Sequence, residues 1–200
     1  VSPALLENAA KQAGMPVGPL TIMDELSIDL AVGAAANKAR EYDDFVPSIT
    51  VATLQKLFDL KRMGKKVGKG FYDWTPEGKS LWTGLQELFP AKPAAEQPPV
   101  QDVKNRILYA QALNAAGSME RGTLTSPADG DIGSILGVGF PAYLGGPFCM
   151  MDEIGLANFV QEADRLASLY GEHLRPNALL RDMAAKGETF YGKNARKIAA

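Results

Sequence analysis

Apolar residues recur along the chain at spacings of three and four. Residues 29–41 carry Leu30, Val32, Ala35, Ala36 and Ala39, and residues 49–62 carry Leu54, Leu57, Phe58 and Leu60. Residues 102–121 carry Val103, Ile107, Leu108, Ala110, Leu113 and Ala116, and residues 156–170 carry Leu156, Phe159, Val160, Ala163, Leu166, Ala167 and Tyr170. Such placements gather apolar side chains into one stripe of a 3.6-residue helix. No segment sustains the alternation that a half-buried strand needs. The pattern predicts an all-α chain.

One stretch breaks the periodicity. From Phe89 to Val100 the chain reads F-P-A-K-P-A-A-E-Q-P-P-V, and Pro90, Pro93, Pro98 and Pro99 forbid a regular helix there. An extended, exposed connector is expected. The predicted organisation is a first helical unit over 1–88, a proline-rich linker over 89–101 and a second helical unit over 102–200.

The two units share landmarks. Gly18-Pro19, four mostly apolar residues and Asp24-Glu25 are echoed by Gly146-Pro147, four residues and Asp152-Glu153, at an offset of 152 − 24 = 128. Ser2-Pro3-Ala4 pairs with Ser126-Pro127-Ala128 at an offset of 124. Gly70-Phe71-Tyr72 pairs with Thr189-Phe190-Tyr191 at an offset of 190 − 71 = 119. The order is kept while the offsets drift, as loop insertions cause, so a duplicated helical module is expected. Before Ser126 lies the periodic segment 102–121, whereas only Val1 precedes Ser2. The chain opens without an initiator Met or a signal-like segment. It therefore reads as a piece of something longer, the first copy lacking its leading helix.

Local chemistry gives the shared residues structural roles. Proline is tolerated at the first helical position, so Gly18-Pro19 and Gly146-Pro147 read as helix starts. Asp24 and Asp152 are expected to fix a corner by bonding nearby N–H groups or a base. Gly70 is expected to permit a tight exit from the preceding helix, and Phe71, Tyr72 and Trp74 to fold back as an apolar plug; Phe190 and Tyr191 are their matched landmarks in the second copy. Cys149 falls in the apolar quartet of the second copy, opposite Ile22, and reads as a small buried hydrophobe.

Composition adds exclusions. The 200 residues carry a net charge of −2, with one cysteine and one histidine. No basic footprint for nucleic acid is present, and no apolar run reaches the roughly 18 residues of a membrane span. A lone Cys149 excludes an internal disulfide, and with a lone His173 gives no basis for an N/S metal site. His173 reads as a cation at a helix end. Lys61, Arg62, Lys65, Lys66 and Lys69 read as a solvated helix end, with phosphate contact as the functional alternative. Gly137-Val138-Gly139-Phe140-Pro141-Ala142 has the spacing of a dinucleotide loop but no strand before it. No catalytic residue, cofactor-binding residue or metal ligand is assigned.

The run M-P-V-G-P-L-T-I-M-D-E-L-S-I-D, followed some forty residues on by G-K-G-F-Y-D-W, resembles the C-terminal domain of 3-hydroxyacyl-CoA dehydrogenases. The run over 126–155 is similar to the second copy of that domain in multifunctional fatty-acid oxidation enzymes, which fuse an enoyl-CoA hydratase/isomerase to the dehydrogenase. Together the likeness covers about 1–74 and 103–192. It implies two tandem copies packed as a pseudo-dimer, in a parent that oxidises L-3-hydroxyacyl-CoA with NAD. NAD and the catalytic residues would belong to a Rossmann domain upstream of Val1, and the fragment alone is expected to be inactive. Asn105-Arg106 falls where the family carries its active-site Asn-Arg pair, yet a second copy would face no cofactor domain. The acyl-CoA substrate, the upstream domain and, as an open option, a thiolase subunit are the implied partners. A bacterial cytoplasmic setting is expected, with peroxisome and mitochondrion as alternatives. The competing expectations are a non-catalytic helical docking or ligand-binding module and a dehydrogenase of free hydroxy acids.

Overall fold

The computed structural model describes residues 1–41 and 49–196. It divides into two units, one of Val1–Asn8 with Val17–Gln97 and one of Ala9–Pro16 with Pro98–Ala200. Helix α1 (Pro3–Gln12) contributes its first part to unit 1 and its last part to unit 2.

Unit 1 continues with α2 (Pro19–Leu26), α3 (Ile28–Glu41) and α4 (Ile49–Asp59). Pro19 stands at the first position of α2, where its missing N–H costs nothing. Ser27 ends that helix at φ 84°, and its hydroxyl donates to the Met63 carbonyl. A two-stranded antiparallel hairpin follows, β1 (Tyr72–Thr75) and β2 (Gly78–Leu81), and then a one-turn helix, α5 (Leu85–Leu88). The core gathers Ile28, Leu54, Leu57, Phe71, Tyr72 and Leu85.

The hairpin amends the expectation of helices alone, although the chain is mostly helical. Four residues are too few to raise a period-two signal above chance. Only the Thr75-Pro76-Glu77-Gly78 turn marks it, with proline pre-set for the turn. The proline-rich stretch is less extended than expected. It holds a 3₁₀ turn at Ala94–Glu96, and the Gln97 side chain accepts the Ser2 N–H at 3.0 Å.

Unit 2 is built from α6 (Val100–Glu120), α7 (Pro127–Val138), α8 (Pro147–Ile154), α9 (Leu156–Tyr170) and α10 (Ala178–Lys186). Its core centres on Phe148, Met151, Phe159, Leu166, Leu174, Leu180 and Met183, packed against Leu108, Tyr109, Ala112 and Ala116 of α6. Tyr109 stacks on Phe159 with ring centroids 4.2 Å apart. Full burial of each large apolar side chain contributes roughly 1.5–3 kcal/mol. Among the described residues no helix is long and apolar enough to cross a membrane.

Candidate functional site

Four carboxylates, two in each unit, organise the parts that the sequence marks as shared. In unit 1, Asp24 lies on α2 and is 1% exposed. Its carboxylate accepts the backbone N–H of Phe71 at 2.8 Å, that of Tyr72 at 2.9 Å and the indole N–H of Trp74 at 2.9 Å. Glu7 on α1 is also buried. It accepts the Leu20 N–H at 2.7 Å, the Thr21 hydroxyl at 2.9 Å and the Tyr72 hydroxyl at 2.7 Å. Tyr72 thus ties both acids together, by its N–H to Asp24 and by its O–H to Glu7.

Unit 2 holds the same clasp. Asp152 on α8 accepts the N–H of Phe190 at 3.0 Å and that of Tyr191 at 2.9 Å. Asp131 on α7 accepts the N–H of Phe148 at 2.7 Å, the N–H of Cys149 at 3.2 Å and the Tyr191 hydroxyl at 2.7 Å. Two carboxylates are again bridged by one tyrosine. In both units an acid from the preceding helix accepts N–H groups at the start of a proline-initiated helix. Those N–H groups have no partner within their own helix.

The glycines are small because the acids are close. A Cβ on Gly18 would clash with the Glu7 carboxylate, one on Gly146 with Asp131 and one on Gly70 with Asp24. Gly146 also has φ 109°, which side chains rarely adopt.

These contacts set the titration of the groups involved. Burial, then the Glu7 carboxylate, pushes the Tyr72 phenol up to about 12. Burial and Asp131 push Tyr191 up as well. Burial, then Asp131, raises the Cys149 thiol to about 11, which leaves it protonated and unreactive near neutrality. Asp152 is held above the ordinary carboxylate range by burial, against the pull of the Phe190 and Tyr191 N–H groups.

Most residues singled out in the sequence therefore meet. Asp24, Gly70, Phe71 and Tyr72 converge with Gly18-Pro19, and Asp152, Phe190 and Tyr191 converge with Gly146-Pro147 and Cys149. Three details differ from expectation. The two aspartates do not fix a local corner; they reach residues 47 and 38 positions downstream. Cys149 stands opposite Thr21, not Ile22, since 21 + 128 = 149 and both residues bond the buried acid of the preceding helix. Arg62 is not part of a solvated helix end. It is buried and donates to the Gly70 and Tyr72 carbonyls at 2.7 and 3.2 Å and to Asp73 at 2.6 Å. Lys65 and Lys66 pair with Glu25 and Asp29 on the surface.

Glu7 and Asp131 were missed. The signal was present, because the Ser2-Pro3/Ser126-Pro127 offset of 124 carries residue 7 onto residue 131. The differing residue types, Glu and Asp, hid the match.

Other candidates sit apart from the clasps. The amide of Asn105 donates to Glu162 at 3.0 Å and accepts from Gln101 at 2.7 Å. Arg106 lies over the Tyr170 ring at 4.5 Å. Asp102 accepts from Arg165 at 2.6 Å and from the Tyr170 hydroxyl at 2.7 Å, and the Arg165 bond holds its carboxyl below the usual range. His173 is exposed in a 3₁₀ turn at Glu172–Leu174. Gly137-Val138-Gly139 is the end of α7, with Gly139 as its left-handed cap. No parallel strand leads into it, so these residues do not form a dinucleotide cradle.

With every acid of the clasps engaged by structural donors, the arrangement holds segments in place rather than presenting a reactive group. Comparison with known proteins shows what it resembles. Residues 1–74 match the family model described as "3-hydroxyacyl-CoA dehydrogenase, C-terminal domain". Over this first part the chain is similar to a 3-hydroxyacyl-CoA dehydrogenase C-terminal domain. The first acid clasp lies within the matched residues. The chain is 38% identical over 189 residues to the fatty acid oxidation complex subunit alpha of Shewanella amazonensis, covering 93% of this chain and 26% of that protein. The subunit alpha of Idiomarina loihiensis is 37% identical, with the same shares covered. The chain thus spans about a quarter of the length of the curated relatives it matches. Two crystal structures share the fold. A 3-hydroxybutyryl-CoA dehydrogenase from Escherichia coli superposes with TM-score 0.64 at 20% identity, over 94% of this chain and 55% of that one. The dehydrogenase part of a multifunctional enzyme from C. elegans gives 0.63 at 23% identity, over 91% and 42%.

Proposed function

We propose that these 200 residues are the C-terminal part of an NAD-dependent L-3-hydroxyacyl-CoA dehydrogenase of fatty-acid oxidation, where they complete the acyl-CoA cleft. The observation that carries this reading is the likeness to fatty acid oxidation complex alpha subunits along 93% of the chain. The described residues do not fit NAD, since the one glycine-rich loop of suitable spacing caps a helix. The cofactor would belong to an upstream Rossmann domain, and hydride transfer is not assigned to any residue here. What this chain supplies is a rigid wall. Fixing one side of a cleft positions the bound acyl group and excludes water.

The reading includes a duplication. Paired acids bridged by one tyrosine, proline-initiated helices and helix ends at Ser27 and Gly155 with φ 84° and 82° support two copies of one module. In the same reading the second copy stands in for a dimer partner. Asn105, bonded on both sides of its amide, serves α6–α9 packing and not the reaction. A fused enoyl-CoA hydratase, a thiolase subunit as partner and a cytoplasmic setting complete the proposal, by analogy with the bacterial complex subunits.

The test is an assay with acetoacetyl-CoA and NADH. The purified 200 residues are expected to show no turnover, and the longer polypeptide is expected to oxidise NADH. Turnover by the 200 residues alone, or none by the longer chain, would overturn the reading.

A further inference from the structure

The offset between the two copies changes inside one short loop. Gly14-Met15-Pro16 matches Gly139-Phe140-Pro141 at an offset of 125, and each glycine ends its helix at positive φ, 94° and 73°. Gly18-Pro19 then matches Gly146-Pro147 at an offset of 128. The second copy therefore holds three extra residues after Pro141, and Tyr143 falls among them. This stretch forms the 3₁₀ turn Ala142–Leu144, closed by Gly145 in the left-handed region.

Tyr143 takes no part in the second clasp. It is 73% exposed, yet its hydroxyl donates to the Ala13 carbonyl at 3.2 Å. Its ring stands so near Gly14 that a Cβ there would lie 2.5 Å from Cε1. The inserted residue thus lies against the end of α1. That end is a Schellman turn, with the Met15 N–H donating to the Ala10 carbonyl at 3.1 Å and the Gly14 N–H to the Lys11 carbonyl at 3.0 Å. Ala9, Ala10 and Ala13 are fully buried. The first copy has no counterpart of Tyr143, and the matching end of α7 is left open, with Leu136 and Val138 exposed.

Helix α1 needs such a hold. Its 10 residues fall below the ~12–15 at which an isolated helix is even marginal in water. Toward its start, Glu7 accepts from Leu20, Thr21 and Tyr72 of the first clasp. Within two turns of Glu7 come the buried alanines and the bond from Tyr143. A helix this short forms and frays cooperatively, so a hold on one end supports the other.

We infer that the three-residue insertion is a latch on α1, through which the second copy steadies the Glu7 half of the first acid clasp. Tyr143 is a positioning residue here. It bonds neither Glu7 nor the donors of Glu7, and it acts through the helix. The inference takes the alignment of the copies from the reading above. Its test reads contacts and not activity, so either can fail without the other.

The test is amide exchange in the 200-residue protein, residue by residue. The Leu20 N–H reports the Glu7 clasp, and the Met15 N–H reports the end of α1. Tyr143→Ala, at an exposed position, should leave helix content unchanged and speed exchange at both by about fivefold or more. The amides of Leu180 and Phe190, elsewhere in unit 2, should keep their rates. Coupling is reciprocal, so Glu7→Gln should speed exchange at Met15 as well as at Leu20. An unchanged Leu20 in Tyr143→Ala would overturn the latch, because the tyrosine would then hold only the helix end. Acceleration of Leu180 and Phe190 to the same degree would overturn it in favour of a general loosening of unit 2. An unmoved Met15 in Glu7→Gln would show that the two ends of α1 are independent, and would overturn it too.

Discussion

Asp24 is the residue on which unit 1 depends most. Three donors converge on one carboxylate, two of them backbone groups that no other residue can satisfy. Leaving buried donors unpaired costs about 1–3 kcal/mol each, so Asp24→Ala should destabilise unit 1 by about 3 kcal/mol or more. Both tryptophans of the chain, Trp74 and Trp82, lie in unit 1. A urea titration followed by tryptophan fluorescence therefore reads that unit directly, and an unmoved midpoint would contradict the role given to Asp24. Tyr72 adds a dependence on pH. Its folded pKa is about 12, against 10.0 for a free phenol. Its contribution is fully present below pH 10 and is lost as pH rises through about 12, because the unfolded phenol ionises first. The fluorescence-monitored midpoint should fall over that window, and Tyr72→Phe should flatten the fall.

At the scale of elements, the long helices were the most legible part. Helix α9 begins and ends where its apolar stripe does, at Leu156 and Tyr170. Its stripe faces the core, with Phe159, Ala163 and Leu166 fully buried. Phe159→Ala would remove a ring stacked on Tyr109 and should cost unit 2 about 3–5 kcal/mol. Thermal unfolding followed by far-ultraviolet circular dichroism checks this, and a loss well under 1 kcal/mol would mean that the stripe is not the core. The hairpin was not legible, because Tyr72 and Trp74 are recruited to it by Asp24 from a distant helix. Likewise Arg62 reads as one cation among several until its carbonyl partners, Gly70 and Tyr72, are seen. Contacts that span tens of residues leave no local periodicity.

At the scale of the molecule, what the sequence revealed was correspondence rather than contact. The offsets 128, 124 and 119 align the residues that form both acid clasps, including Glu7 and Asp131, which no motif marks. They could not show that the aligned acids share a tyrosine, since that depends on how each chain segment folds back. The central claim, that these residues complete a dehydrogenase built largely from chain outside them, is tested by deletion. The longer polypeptide is purified with and without the 200 residues, and NADH oxidation by acetoacetyl-CoA is measured for both. The account predicts turnover only when they are present. Equal turnover without them would contradict it.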